Sequence, residues 1–354
     1  MKRLGRLFLL FVLLANVNML FAAGGGGEKF NPGTFIFDHI GDSYDWHIMS
    51  MGDKHVSIPL PVILYSKERG KLFVFMSSKF HHGHSSYEGF EIAHGGELEG
   101  KIVEKNSSGE EVRPLDFSMT KNVAALFFSI FLLLLIFIPA GKLYKKRGNA
   151  APTGVQSFVE PVIVFLRDEV AKPSIGEHKY EKFMPYLLTV FFFIWLNNIL
   201  GLIPIPPGGA NVTGNIAVTM VLALITFVIT NISGNKNYWQ HVFNMPGVPV
   251  WLKVPPLPIM PIVETIGLFT KPFVLMVRLF ANITAGHIIA LGFLSLIFLF
   301  GELKEFLGYS VSVVSIVFMI FMTLLELLVA FIQAYVFTFL SALYIGMAVE
   351  DAHH

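Results

Sequence analysis

The sequence predicts an all-α polytopic membrane protein with about five transmembrane helices plus an interfacial helix, the last two transmembrane helices long and tilted, and a small strand-containing N-terminal extracytoplasmic region. Three observations carry this. Hydrophobic residues make up 54% of the 354 positions and charged residues 14%, well below the roughly 25% of an ordinary soluble domain. Mean hydropathy is +0.62. Five apolar stretches follow one another from residue 123 onward, and lysines and arginines cluster at alternate ends of them. The net charge of +1 gives no acidic or basic excess that would recruit nucleic acid, so the lipid bilayer is the expected environment. The absence of cysteine excludes disulfide scaffolds, thiolate metal sites and thiol catalysis.

Taken in order, Lys2, Arg3 and Arg6 precede the apolar run "LFLLFVLL" and then "NVNMLFAAGGGG". This is the layout of a signal peptide over residues 1–23, with cleavage expected near Ala22 to Gly24. Residues 24–118 are mixed in polarity, and runs such as "VSIPLPVILY" and "KLFVFM" read as strands of an extracytoplasmic region. The cluster at His81, His82 and His84 has no second cluster of matching spacing and reads as a solvated loop, so no metal is expected. Residues 119–354 form the membrane domain. Its first span covers about 123–138 and ends at Lys142 to Arg147, which the positive-inside rule places in the cytoplasm.

The stretch "VQSFVEPVIVFLRDEVAKP" carries Glu160, Arg167, Asp168, Glu169 and Lys172, too many charges to span, and is expected at the cytoplasmic surface. Spans two and three cover about 183–203 and 215–232. The loop between them is uncharged, while Lys179, Lys182 and Lys236 flank the other ends, so the loop is placed outside. Two long apolar segments follow, about 261–300 and 311–349, separated by "GELKEFLGYS". Each exceeds the roughly 20 residues needed for a crossing, which predicts tilt, curvature or a kink. Five crossings leave the C-terminus in the cytoplasm.

Ionisable residues inside a membrane are costly and mark function. Here they are Glu264, Lys271, Arg278, His287 and Glu326, with the amides Asn282 and Gln333. At 100° per residue, Asn282 and Glu264 each lie about 40° from Arg278, so one helix face carries a carboxylate, an arginine and an amide. Glu264 is roughly 21 Å along the axis to one side of Arg278, and His287 roughly 13 Å to the other. In the last helix Glu326 and Gln333 share a face about 10 Å apart in depth. If Gln333 is level with Arg278, Glu326 is close in depth to His287. A permanently charged arginine then stands between two titratable ends.

These residues carry a resemblance. The blocks "KPFVLMVRLFANITAGHIIALGF" and "ELLVAFIQAYVFTFLSALYIGMAVED", with "WLNNILGLIP" and "GNIAVTMVLAL" before them, resemble the a subunit of the bacterial F-type ATP synthase over about 119–351. The R-L-F-x-N-x-x-A-G core with a glutamine in the last helix is its most specific part. The resemblance implies a stator, itself without a catalytic site or cofactor, that lies against a rotating ring of c subunits and is held by peripheral-stalk b subunits in the cell inner membrane. Protons would cross by two offset half-channels.

By the same resemblance Arg278 is the essential arginine, Asn282 and Gln333 support it, and Glu264 belongs to the inner half-channel. His287 and Glu326 form the outer pair, exchanged relative to many bacterial members and as in the mitochondrial type. A guanidinium suits the arginine's role because it does not release its proton at ordinary pH. Lys271 is expected at the inner interface. Asn197, Asn198, Asn211 and Asn215 either line the outer access path or serve helix packing and loop capping. A self-contained proton- or sodium-coupled carrier would need an inverted repeat and a central substrate site, and neither is legible. An intramembrane hydrolase built on His287 and Glu326 would need a metal triad or an activated nucleophile. There is no H-E-x-x-H motif.

Overall fold

The structure is a computed structural model that describes residues 30–51, 54–83, 85–96, 98–106, 109–147, 152–203, 206–244 and 259–350. The signal-peptide segment 1–23, the side chain of His82 and the whole of His84 lie outside the described residues. The chain divides into two compact units. One holds residues 1–128, 200–212 and 287–325, and the other holds 129–199, 213–286 and 326–354.

The first unit begins with helix α1 (Pro32–Ile40), in a region whose sequence pattern suggests only strands. Its start signal is local. Asn31 accepts a hydrogen bond from the Gly33 N–H at 2.9 Å, and Pro32 opens the first turn, where no N–H is needed. Eight short strands follow: β1 (Asp45–Met51), β2 (Lys54–Pro59), β3 (Pro61–Ser66), β4 (Lys71–Met76), β5 (Phe90–Ile92), β6 (Ile102–Lys105), β7 (Glu111–Val112) and β8 (Leu115–Asp116). They pair antiparallel as a β1–β2 hairpin and two three-stranded sheets, β4-β3-β8 and β5-β6-β7.

The run "VSIPLPVILY" is thus two strands, because Pro59 and Pro61 remove two ladder donors around Leu60 and the chain changes sheet there. Alternation along β3 sends Val62 and Leu64 inward to meet Phe80, Phe90 and Ile102, all at most 1% exposed. Each such side chain contributes about 1.5–3 kcal/mol by burial, so Phe90→Ala is the single change that most undermines this core. The carboxylate of Glu104, 2% exposed, accepts from Ser66 Oγ at 2.6 Å and faces Arg69 at 3.5 Å.

The same unit contains one end of the two longest helices, α8 and α9. Helix α8 (Ile259–Leu303) and helix α9 (Glu305–Val349) are separated by Lys304 alone. The "GELKEFLGYS" stretch is therefore no loop. It is mostly helical, and a Cβ on Gly308 would stand 2.8 Å from Gly301 Cα, so glycines let the two backbones meet at the turn. Close by, Phe35, Ile36 and Ile40 of α1 pack on Leu291, Leu294 and Met319. The Phe30 N–H donates to Glu302 Oε1 at 2.7 Å.

Among its described residues the second unit contains helices and the turns that join them, and no strand. It takes in most of α2 (Lys121–Arg147), then α3 (Val155–Phe165), a π-helical stretch (Leu166–Ala171) and α4 (Lys172–Ile175). After these come α5 (Tyr180–Leu202), α6 (Ile216–Ser233) and the short α7 (Lys236–Asn244), a helix that the sequence pattern does not announce. Its core follows the rule for helices packed without water, small residues at the contact. Ala330, Ala334, Thr338 and Ala342 recur at four-residue spacing on α9, each at most 1% exposed, and seat Phe191, Leu187, Leu275 and Leu279.

Among the described residues, five helices are long and apolar enough to cross a membrane: α2, α5, α6, α8 and α9. Their outward residues are apolar as well, for example Phe127, Phe131, Leu134 and Leu135 on α2, each more than half exposed. This is a surface for lipid rather than water. Helix α8 runs unbroken through Pro272, and its 45 residues span about 67 Å against a hydrocarbon thickness of roughly 30 Å.

Candidate functional site

Arg278, Asn282 and Glu264 lie on α8, and Glu326 and Gln333 on α9, all within the second unit. Two contacts fix the antiparallel register of these helices there. Lys271 Nζ stands over the Tyr344 ring at 5.6 Å from its centroid. A Cβ on Gly286 would lie 2.6 Å from Glu326 Oε1, so the Glu326 side chain rests against bare backbone. Counting inward from these contacts, Gln333 falls opposite the turn from Leu279 to Asn282.

Leu275, Leu279 and Ile283 form the buried stripe of α8, and Arg278 and Asn282 lie on its flank, about 100° and 60° from its centre, where both are exposed. Gln333 is buried at 7% exposure. Among the described residues Arg278 forms no ion pair and no hydrogen bond. A guanidinium presented on an apolar helix face can donate to a carboxylate in a bidentate pair.

Glu264 and Lys271 lie toward the other end of this face. Thr226, Thr230, Asn231, Tyr238, Lys271 and Tyr344 are among the residues lining a cleft of about 260 Å³. On α7, burial raises the Tyr238 phenol above its ordinary value, and the negative charge of Glu264 adds to the effect.

In the first unit, His287 is half-buried. A methyl on Gly201 would stand 3.5 Å from His287 Nε2 and 3.5 Å from the Ala210 carbonyl oxygen, so the imidazole and the turn that follows α5 both lie close to Gly201 near the end of that helix. That turn is tightly built. The Gly209 N–H donates to the Leu200 carbonyl at 3.1 Å, and a Cβ on Gly208 would stand 2.7 Å from the same oxygen.

The asparagines have separate roles. Asn198 Nδ2 donates to the Ala330 carbonyl at 3.1 Å and its Oδ1 accepts from Thr213 Oγ1 at 2.5 Å. Asn197 Nδ2 donates to the Phe193 carbonyl at 2.8 Å, and Asn215 caps α6 by accepting from the Ala217 N–H at 2.9 Å. Asn211 is buried at 5% exposure. Gly286 and Gly201 are parts of the site to which the sequence alone assigns no role. The available signal was the adjacency of small residues to His287 and to the end of α5.

A family model described as ATP synthase A chain matches residues 123–346. The chain belongs to that family. Its relatives include ATP synthase subunit a 2 of Chlorobaculum tepidum, 50% identical over 252 residues, covering 69% of this chain and 67% of the relative. ATP synthase subunit a of Chloroherpeton thalassium is 44% identical, covering 69% of this chain and 70% of the relative. The Myxococcus xanthus subunit a is 44% identical, covering 68% of this chain and 76% of the relative. Family membership places the chain, as a multi-pass membrane protein, in the membrane sector of an F-type ATP synthase, a complex of several different proteins. A second family model, described as a domain of unknown function, matches residues 35–117, the strand-rich part of the first unit.

Proposed function

We propose that this chain is the proton-conducting stator of its ATP synthase and carries no catalytic site. It faces a ring of c subunits, is held by b subunits, and conducts through two offset half-channels. The observation that carries the reading is Arg278, exposed on an apolar helix face and without an ion pair among the described residues, with Asn282 exposed one turn along and Gln333 buried on α9. A ring carboxylate arriving at this face meets a fixed positive charge. The charge favours the ionised form and expels the proton. Because the guanidinium keeps its own proton, it also separates the two access paths.

In this reading His287 and Glu326 load protons from the outer side, and Glu264 serves the inner side. The topology is the one expected from the sequence, with residues 24–118 extracytoplasmic after removal of a signal peptide, and the C-terminus cytoplasmic. The test is ATP-driven, uncoupler-sensitive proton pumping in inverted membrane vesicles carrying Arg278→Ala, with assembly followed by immunoblot. Pumping should vanish while the complex assembles. Assembled mutant complexes that pump at the wild-type rate would overturn the reading.

A further inference from the structure

The strand-rich part of the first unit has no role in the reading above, yet it is bonded to the membrane helices at chosen places. Trp46, on β1 and 7% exposed, donates its indole N–H to the Gly208 carbonyl at 3.1 Å, across 162 residues of sequence. Gly208 sits in the turn that folds back on Leu200, next to the Gly201 against which His287 lies, and Ala210 in that turn is 2% exposed. A few residues beyond His287 on α8, Leu291 and Leu294 are covered by Phe35, Ile36 and Ile40 of α1. Phe30 and Phe35 add ring contacts with Phe298 at 5.4 and 6.2 Å. Lys121 Nζ donates to the His39 carbonyl at 3.3 Å, and the Asn122 N–H to Asp42 Oδ1 at 3.0 Å, tying the same region to the start of α2.

We propose that residues 30–120 form an outer collar whose Trp46–Gly208 bond holds the turn after α5 onto the Leu200–Gly201 end of that helix, beside which His287 lies, making Trp46 a positioning residue for proton loading. This rests on the outer-side role of His287 given above. The turn is anchored from more than one side, and Thr213 at its far end donates to Asn198 on α5. It is joined to α5 by the Leu200 carbonyl, and its other side bonds to the collar. A buried carbonyl that loses its donor is exposed to water or left unsatisfied, and either outcome loosens the turn. The turn carries no titratable side chain between residues 203 and 214. Within the first unit, the titratable groups among the described residues of the elements packed on this stretch of α8 are Asp38 and His39 on α1 and Glu302 at the helix turn.

The test uses Trp46→Phe, which keeps an aromatic ring and removes the donor. The native chain has no cysteine, so Ala210→Cys reports on the turn through its rate of labelling by a membrane-impermeant maleimide added from the outer side of vesicles carrying the whole complex. Trp46→Phe should speed labelling about tenfold, the change that loss of one buried hydrogen bond of about 1.4 kcal/mol allows. In vesicles stripped of the catalytic sector, without the reporter cysteine, it should also shift the pH profile of passive proton conduction at unchanged assembly. Equal labelling and an unshifted profile would overturn the proposal. If Trp46→Phe fails to assemble, Trp46→His, which restores a ring donor, carries the same comparison against wild type. A His287→Ala control that still conducts would remove the loading role of His287, and the labelling result alone would then decide whether Trp46 holds the turn.

Discussion

Replacing Gly286 by alanine tests the Glu326 position without touching any ionisable group. The added methyl would stand 2.6 Å from Glu326 Oε1, 3.2 Å from Cγ and 3.3 Å from Cδ. Ordinary carbon contacts begin near 3.5 Å, so the carboxylate must retreat by about 1 Å. The atoms in the way belong to a flexible side chain, and pushing it off its rotamer costs about 0.5–1.5 kcal/mol. Alanine in a helix interior returns about 1 kcal/mol relative to glycine. These effects nearly cancel, so the complex should assemble to the wild-type level. Proton transfer is less forgiving, since a misplacement of about 1 Å can lower a rate by about 100-fold. The assay is ATP-driven pumping in inverted vesicles, normalised to assembled complex by immunoblot. We expect normal assembly with pumping reduced by up to about two orders of magnitude. Wild-type pumping by the assembled variant would refute a loading role for Glu326 at this place.

Gly346→Ala is expected to behave oppositely. Its methyl would collide with the Ser174 carbonyl and lie 2.8 Å from the Ser174 carbonyl carbon, so backbone must move, and the protein should be lost from membranes on immunoblot. Asn198→Leu removes the acceptor of Thr213 Oγ1 and the bond to the Ala330 carbonyl. It should cost about 1–3 kcal/mol, read as earlier thermal aggregation in detergent, with pumping per assembled complex unchanged. Burial holds the His39 imidazole below its ordinary value, the bond to the Phe35 carbonyl opposes this, and the charge of Lys121 adds to it. The folded state then binds fewer protons than the unfolded state. Stability from this group is present above the unfolded value of about 6.5 and is lost as pH falls through it. Hydrogen exchange in α1, corrected for its intrinsic pH dependence, should accelerate on acidification, and His39→Gln should flatten the response.

The helices are legible in the sequence where one physical force dominates. Val123 to Ile138 and Phe183 to Ile203 are apolar for a full crossing, and that alone selects a helix in lipid. The turn at Lys304 is hidden for the opposite reason. Charged residues and two glycines between apolar runs normally signal a loop, but Gly301 and Gly308 serve close approach of two helix backbones. Helix α1 is masked by the alternating runs that follow it, although Asn31 and Pro32 spell a helix start. At the site, angular spacing is enough to place Arg278 and Asn282 on one face of α8. The approach of His287 to Gly201 is not legible, because it is a contact between two helices far apart in sequence that no periodicity encodes.

The one-residue link between α8 and α9 also bears on how the protein is made. In the topology proposed above the link is outside, so Glu302, Lys304 and Glu305 must all be carried across the bilayer within a few residues of one another. A charged side chain at the bilayer centre costs about 2.5–3.5 kcal/mol on insertion scales. A nascent chain that ends after α8 has no descending helix to offset that burden, so the two helices should enter the membrane as a pair. Translation arrested just before α9 should leave residue 304 accessible only from the cytoplasm, and release of the arrest should carry it across.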